Sequence, residues 1–279
     1  MREFHIDPRV EEEIVNPTPY PLVVPFPEYV YMILHYPSVV ASGEAKRQEI
    51  DFIVGRNMII TVRYEVVECI HNLHKVFEAE DLLGLPAAET NTSELLERMM
   101  RRLYSAIRHD AERLAEHMDR IERDIFSGKE RETVKKLSDL NRVLLRFDTT
   151  LRRHADALHA FLSELQETRF LGKGFAAHAA HIHAELKHVT SLVSSFREVA
   201  VELRTTNDSL LSLSQNQVMK MLTLMSLMTF PLTLIAAIFA MQTDYLPIVG
   251  TPGDFWIIIG IMMTIVISLL TVFRLNRWL

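Results

Sequence analysis

The chain has 279 residues, a formal net charge of −6 and a single cysteine, Cys69. The acidic balance argues against nucleic acid as a partner, and one cysteine leaves no disulfide framework within the chain. The opening stretch MREFHIDPRVEEE has no apolar core and does not read as a signal peptide.

In chain order, residues 16–27, NPTPYPLVVPFP, are proline-rich and read as extended. Tyr29–Tyr36, Glu49–Val54 and Met58–Arg63 read as strands, with Gly55-Arg56-Asn57 as the turn between the last two. His71–Leu83 and Ser93–Phe126 read as helices. Ser93 is the expected N-cap of the second, and Ser127-Gly128 stops it. A further helix runs from about Glu130 to Glu167, and Phe170-Leu171-Gly172-Lys173-Gly174 breaks the pattern. From Phe175 nothing stops a helix before the membrane exit. The expected fold is an α+β cytoplasmic domain with long stalk helices, followed by a C-terminal two-helix transmembrane hairpin. Its parts are an α/β domain (1–92), a helical segment (93–174), a stalk continuing into a first span (175–241), an external loop (242–254), a second span (255–273) and a tail (274–279).

The stalk carries a polar stripe at steps of three and four: His181, Ala184, His188, Ser191, Ser195, Glu198, Glu202, Thr205, Ser209, Ser212, Asn216. The other faces carry Leu192, Val193, Phe196, Val199, Leu203, Leu210 and Leu213. An ordinary solvated face has this pattern. So does the wall of a water-filled funnel, in which Glu198 and Glu202 form acidic rings that favour cations. Histidine is dense here. His178, His181 and Glu185 share a face, with His183 and His188 nearby, and imidazole with carboxylate suits Zn²⁺. The simpler reading is a set of solvent-exposed histidines on a long helix.

Two apolar runs follow, from about Gln217 to Met241 and from Phe255 to Phe273. Each is about 20 residues, enough helix to cross a hydrocarbon core of ~30 Å. The loop between them, QTDYLPIVGTPGD, holds Asp244 and Asp254 and no Lys or Arg, whereas Lys220, Arg274 and Arg277 flank the pair. The positive-inside rule places both termini in the cytoplasm and the loop outside, and the expected location is the inner (cytoplasmic) membrane. Trp256 and Trp278 stand near opposite ends of the second span, where interfacial aromatics belong. Along the first span, Asn216, Met219, Thr223, Ser226, Phe230, Thr233 and Ala237 trace one comparatively polar face, with Pro231 beside it. Helix packing through small residues and a water-exposed pore face both fit that spacing. The second span is apolar on all sides apart from Thr264, Ser268 and Thr271, and reads as lipid-facing. Two spans cannot enclose a channel alone, so a pore requires several copies about an axis.

The run Asn216-Gln217-Val218-Met219-Lys220-Met221-Leu222-Thr223, then Phe230-Pro231-Leu232-Thr233-Leu234-Ile235-Ala236, then the terminal Arg277-Trp278-Leu279, resembles the CorA-type metal-ion transporters, the two-span GxN superfamily. Ile50–Val62 is similar to the β-hairpin of that family's cytoplasmic domain. The resemblance covers most of the chain and is most specific over residues 216–242. It implies a funnel-shaped homopentamer in the lipid bilayer. In it the first span lines the pore at Asn216, Met219, Thr223, Ser226, Phe230, Thr233 and Ala237, and the second surrounds it.

The resemblance also places a selectivity filter at Ala240, Met241, Gln242 and Asp244. The family's Gly-Met-Asn signature reads Ala240-Met241-Gln242 here. Gln242 keeps the amide but adds a methylene, and Ala240 closes off backbone conformations open to glycine. Asp244 keeps one acidic ring at the outer mouth, with Asp254 as a possible second. The expected function is a transporter or channel for a divalent cation (Mg²⁺, Zn²⁺ or Co²⁺). The ion is its substrate, with no cofactor and no covalent chemistry, since no phosphate-binding glycine loop or nucleophile motif is present. Phe230 is a candidate gate that closes by dewetting. The alternative is a non-transporting or poorly selective relative acting as a scaffold or stress-response partner.

Overall fold

The computed structural model describes residues 6–39, 45–67, 70–72, 74–75, 91–172, 174–241, 250 and 253–275. The chain forms two compact units, residues 1–208 and 209–279.

The first unit opens with a short helix the sequence reading did not anticipate, α1 (Pro8–Glu13). Its start follows ordinary capping chemistry: the Asp7 carboxylate accepts from Arg9 N at 2.9 Å, and Pro8 occupies the first turn. Four strands follow, β1 (Leu22–Pro25), β2 (Tyr29–Val39), β3 (Ala45–Gly55) and β4 (Ile59–Arg63), in an antiparallel sheet of order β1-β2-β3-β4. The proline-rich stretch therefore contains a strand. β2 also runs past the expected end at Tyr36. Pro37 is tolerated because β1 pairs only with Val30–Ile33, which leaves that side of β2 open beyond Ile33. β3 begins at Ala45 rather than Glu49, and β4 at Ile59. The tight hairpin needs Gly55, since a Cβ there would lie 2.9 Å from the Glu28 carbonyl oxygen. The expected helix His71–Leu83 falls largely outside the described residues.

Every residue from Tyr29 to Pro37 is buried because both faces of the sheet are covered. Ile6 and Val10 pack over Tyr29, Tyr31, Ile33 and Ile53 on one face. Asp51 is fully buried on that same face. One of its oxygens accepts from the hydroxyls of Tyr31 (3.1 Å) and Tyr64 (3.4 Å); the other has no partner among the described residues. Burial, with the Glu49 charge beside it, pushes this carboxyl up to about 7.

Two long helices lie on the sheet, α2 (Thr92–Phe126) and α3 (Glu130–Glu167). Asn91, not Ser93, caps α2, accepting from Ser93 N at 3.3 Å; the Ser93 hydroxyl instead donates to Leu171 O at 3.2 Å. Ser127 and Gly128 (φ +85°) end α2 as expected. Lys136 Nζ meets Asp124 at 2.8 Å, and the Tyr104 hydroxyl meets His154 Nε2 at 2.7 Å, so α2 and α3 run antiparallel.

After a reversal at Arg169 (φ +53°) and Gly172 (φ +78°) comes α4 (Phe175–Phe239), 65 residues long. Its first half lies antiparallel on α3. Asn207 pairs with Thr133 (3.0 Å), Arg197 with Asp148 (3.1 Å), and the His183 ring with that of His159 (5.4 Å between centroids). The buried row is Ile182, Leu186, Val189, Val193, Ala200 and Leu203. Val199, one of the apolar residues read on the faces away from the polar stripe, is exposed. The second unit holds the rest of α4 and a final helix, α5 (Asp254–Leu275).

Candidate functional site

In the second unit α4 and α5 each contain a stretch long and apolar enough to cross a membrane, and neither stretch is buried by the rest of the protein. Exposed Met, Leu, Ile, Val and Phe side chains run from Val218 to Met241 and again from Phe255 to Leu275. Water does not tolerate a continuous apolar surface of this extent, and two such helices fit a membrane hairpin.

All seven residues expected to line a pore, Asn216, Met219, Thr223, Ser226, Phe230, Thr233 and Ala237, are exposed. The partly covered residues of the same segment are Leu224, Met228, Pro231, Leu232, Ile235 and Phe239. Counted at about 100° per residue, the centres of these two sets lie roughly 150° apart around the helix. The candidate face therefore points away from the side that this single chain covers.

The hydroxyls on and beside that face are already committed as donors. Thr223 donates to Met219 O (2.8 Å), Ser226 to Leu222 O (3.0 Å), Thr229 to Met225 O (2.9 Å) and Thr233 to Thr229 O (2.9 Å). This satisfies each O–H inside an apolar medium. The oxygen lone pairs stay exposed, and these are the atoms that accept from water or face a cation. Pro231 sits inside the helix and supplies no N–H to the Leu227 carbonyl.

Beyond Phe239 the helix ends in a turn, with Ala240 N bonded to Ala236 O at 3.0 Å and Met241 N to Ile238 O at 3.3 Å. Gln242 and Asp244, like Arg277 and Trp278, lie outside the described residues. Asp254 begins α5, and its carboxylate accepts from Gly250 N (3.2 Å) and Phe255 N (2.7 Å). Each oxygen thus accepts one backbone amide at the start of α5, where a negative charge is favourable.

In the first unit the stalk stripe is exposed at every position from His181 to Thr205. Its centre lies roughly 150° around α4 from the buried row. Glu198 and Glu202 have no cationic partner among the described residues.

His178 and His181 come together, but with Glu97 of α2 and not with Glu185. His178 Nδ1 lies 2.5 Å and His181 Nδ1 3.3 Å from the Glu97 carboxylate, which Arg101 also contacts. Burial raises the Glu97 carboxyl, but hydrogen bonds from both histidines and the Arg101 charge outweigh it and hold it below the usual range. No set of three or more ligands placed to hold a metal occurs among the described residues. Sequence reasoning missed Glu97. The available signal was its position in the buried stripe of α2 between Leu96 and Met100, since a carboxylate there requires a partner.

Over residues 1–277 the sequence matches the family described as CorA-like Mg2+ transporter protein. The chain belongs to that family. Similar relatives include the cobalt/magnesium transport protein CorA of Methanocaldococcus jannaschii, 21% identical over 272 residues, covering 98% of this chain and 80% of the relative. The protein of that name from Thermotoga maritima is 20% identical over 278 residues, covering 99% and 78%. The complete structure of the CorA magnesium transporter from M. jannaschii matches with a TM-score of 0.86 at 19% identity. It covers 100% of this chain and 86% of that one. The shared CorA fold thus comprises the α/β body, the long helix and the two C-terminal apolar helices.

Proposed function

We propose that this CorA-like chain is a membrane transporter or channel for divalent metal ions. Copies of α4 surround an axis and the ion passes between them. The relatives named as cobalt/magnesium transport proteins support the substrate class. The observation that carries the conducting face is the exposed row Asn216, Met219, Thr223, Ser226, Phe230, Thr233, Ala237, set opposite the covered side of α4 with hydroxyl lone pairs outward. In a homopentamer this row lines the pore, Glu198 and Glu202 ring the stalk entrance, and α5 faces lipid. The filter comprises Ala240, Met241, Gln242 and Asp244. In this reading both termini lie in the cytoplasm, an orientation that the charge asymmetry of the flanks supports, and the hairpin spans the inner membrane.

The test is ion flux in liposomes containing the purified full-length protein, with Mg²⁺, Co²⁺, Zn²⁺ and K⁺ supplied in turn. Flux of divalent ions exceeding that of K⁺, reduced by Gln242→Ala with assembly intact, is expected. No flux of any ion from a correctly assembled oligomer overturns the proposal.

A further inference from the structure

A groove of about 440 Å³ opens between the start of β3 and the middle of α3, outside the proposed ion path. Lys46 and Arg47 line it from the strand. Arg146, Thr150 and Arg153 line it from the helix at i, i+4 and i+7, which puts them on one face. Leu145, half-exposed, supplies an apolar wall. No carboxylate lines the groove among the described residues. Lys46 bonds Glu65 outside it at 2.7 Å. Arg47 Nη1 donates to Pro19 O (3.1 Å) and Arg146 Nη1 to Ala45 O (3.4 Å). Carbonyls orient these guanidiniums without neutralising them.

A solvated helix face explains one or two exposed arginines. It does not explain cations converging on one concavity from two separate elements, where like charges repel and no carboxylate among the described lining residues offsets the cost. A cleft of one sign concentrates counter-ions. Guanidinium forks match phosphate oxygens in pairs. The volume falls within the ~300–1,000 Å³ of small-ligand sites, and it is too small for a nucleic-acid track.

We propose that this groove binds a soluble organic polyphosphate of nucleotide size, with Arg47, Arg146 and Arg153 on the phosphates and Leu145 against the organic part. The proposal is independent of the ion-conduction reading.

Calorimetry on the full-length protein in neutral detergent tests it, with metal-free adenosine triphosphate, inorganic tripolyphosphate and a short-chain phosphatidylglycerol as probes. Saturable binding of both polyphosphates at one per chain, weakening with salt, is expected. Arg146→Glu with Arg153→Glu should lower the affinity by about tenfold or more. The milder Arg146→Gln with Arg153→Gln should act in the same direction. Arg131→Glu, on the same helix outside the groove, should leave the affinity unchanged. Absence of polyphosphate binding, tighter binding of the lipid, or an equal loss in Arg131→Glu each overturns the assignment.

Discussion

The Tyr104 hydroxyl on α2 donates to His154 on α3, at 2.7 Å from Nε2, and both residues are fully buried. The other ring nitrogen lies 3.0 Å from the His35 carbonyl on β2. A neutral imidazole satisfies both bonds: Nδ1–H donates to the strand and Nε2 accepts from the tyrosine. Burial holds the ring neutral and lowers its pKa to about 4, although the bond to His35 pushes the other way. One histidine thus joins sheet to helix pair.

Tyr104→Phe leaves Nε2 buried without a donor. The expected cost is about 1–3 kcal/mol, read as a lower denaturation midpoint of the full-length protein in detergent. The histidine also sets a pH dependence. Its folded pKa lies below the unfolded value of 6.5, so its contribution is present above 6.5 and is lost as pH falls towards about 4. A midpoint indifferent to Tyr104→Phe would show that the bond contributes nothing.

Asp51 has the opposite sign. Its folded pKa, about 7, lies above the usual 3.8, so its stability contribution is present below 3.8 and lost as pH rises to about 7. Asp51→Asn keeps an acceptor for Tyr31 and Tyr64 and cannot ionise. The gain in melting temperature over the parent should be larger at pH 8 than at pH 4.5. If the gap between the two proteins is the same at both pH values, Asp51 is not the group that titrates.

Glu97 links the start of α2 to the start of α4 through His178 and His181. Glu97→Ala should cost about 0.5–1.5 kcal/mol, the worth of the lost hydrogen bonds, because His178 is only partly covered and His181 and Arg101 are exposed to water. Hydrogen exchange offers a local readout: amides at the beginning of α4 should lose protection while those of the sheet keep theirs. Equal loss everywhere would mean that the contact has no special hold on α4.

Most of the architecture was legible because it rests on local periodicity. α3 was readable at Glu130–Glu167 and α4 from Phe175, since apolar spacing and the Gly128 and Gly172 breaks need no tertiary information. The stalk stripe was legible for the same reason, and its exposed positions lie opposite the buried row. What was missed depended on context. β1 is four residues long and proline-flanked, and only its pairing with β2 makes it a strand. α1 carried a readable Asp7-Pro8 cap but is barely more than one turn. The Glu97 pairing with His178 spans 81 positions, and one-dimensional spacing carries no record of such a contact.

Phe230 is 70% exposed on the candidate pore face, the largest apolar side chain there. Rings brought together by copies of the chain make a constriction that closes by dewetting. Phe230→Ala should raise resting divalent-ion flux by about tenfold, equivalent to ~1.4 kcal/mol off the barrier. Unchanged flux with intact assembly would remove Phe230 as a gate.

Thr223 and Thr264 offer an internal comparison of the two apolar helices. Each donates its hydroxyl to the carbonyl four residues earlier, at 2.8 Å in both cases. Each is exposed, and each becomes valine without a change of shape. They differ only in the helix that carries them, α4 for Thr223 and α5 for Thr264. If the α4 face meets the ion path, Thr223→Val removes lone pairs that replace part of an ion's hydration, and flux should fall by about tenfold or more. Thr264→Val removes the same group from α5, which the proposal turns towards lipid, and should leave flux within about twofold. Liposome flux with oligomer size checked for each variant decides the matter. Equal effects in both would mean that the hydroxyls serve helix stability alone. A larger effect at Thr264 would place the conducting face on α5.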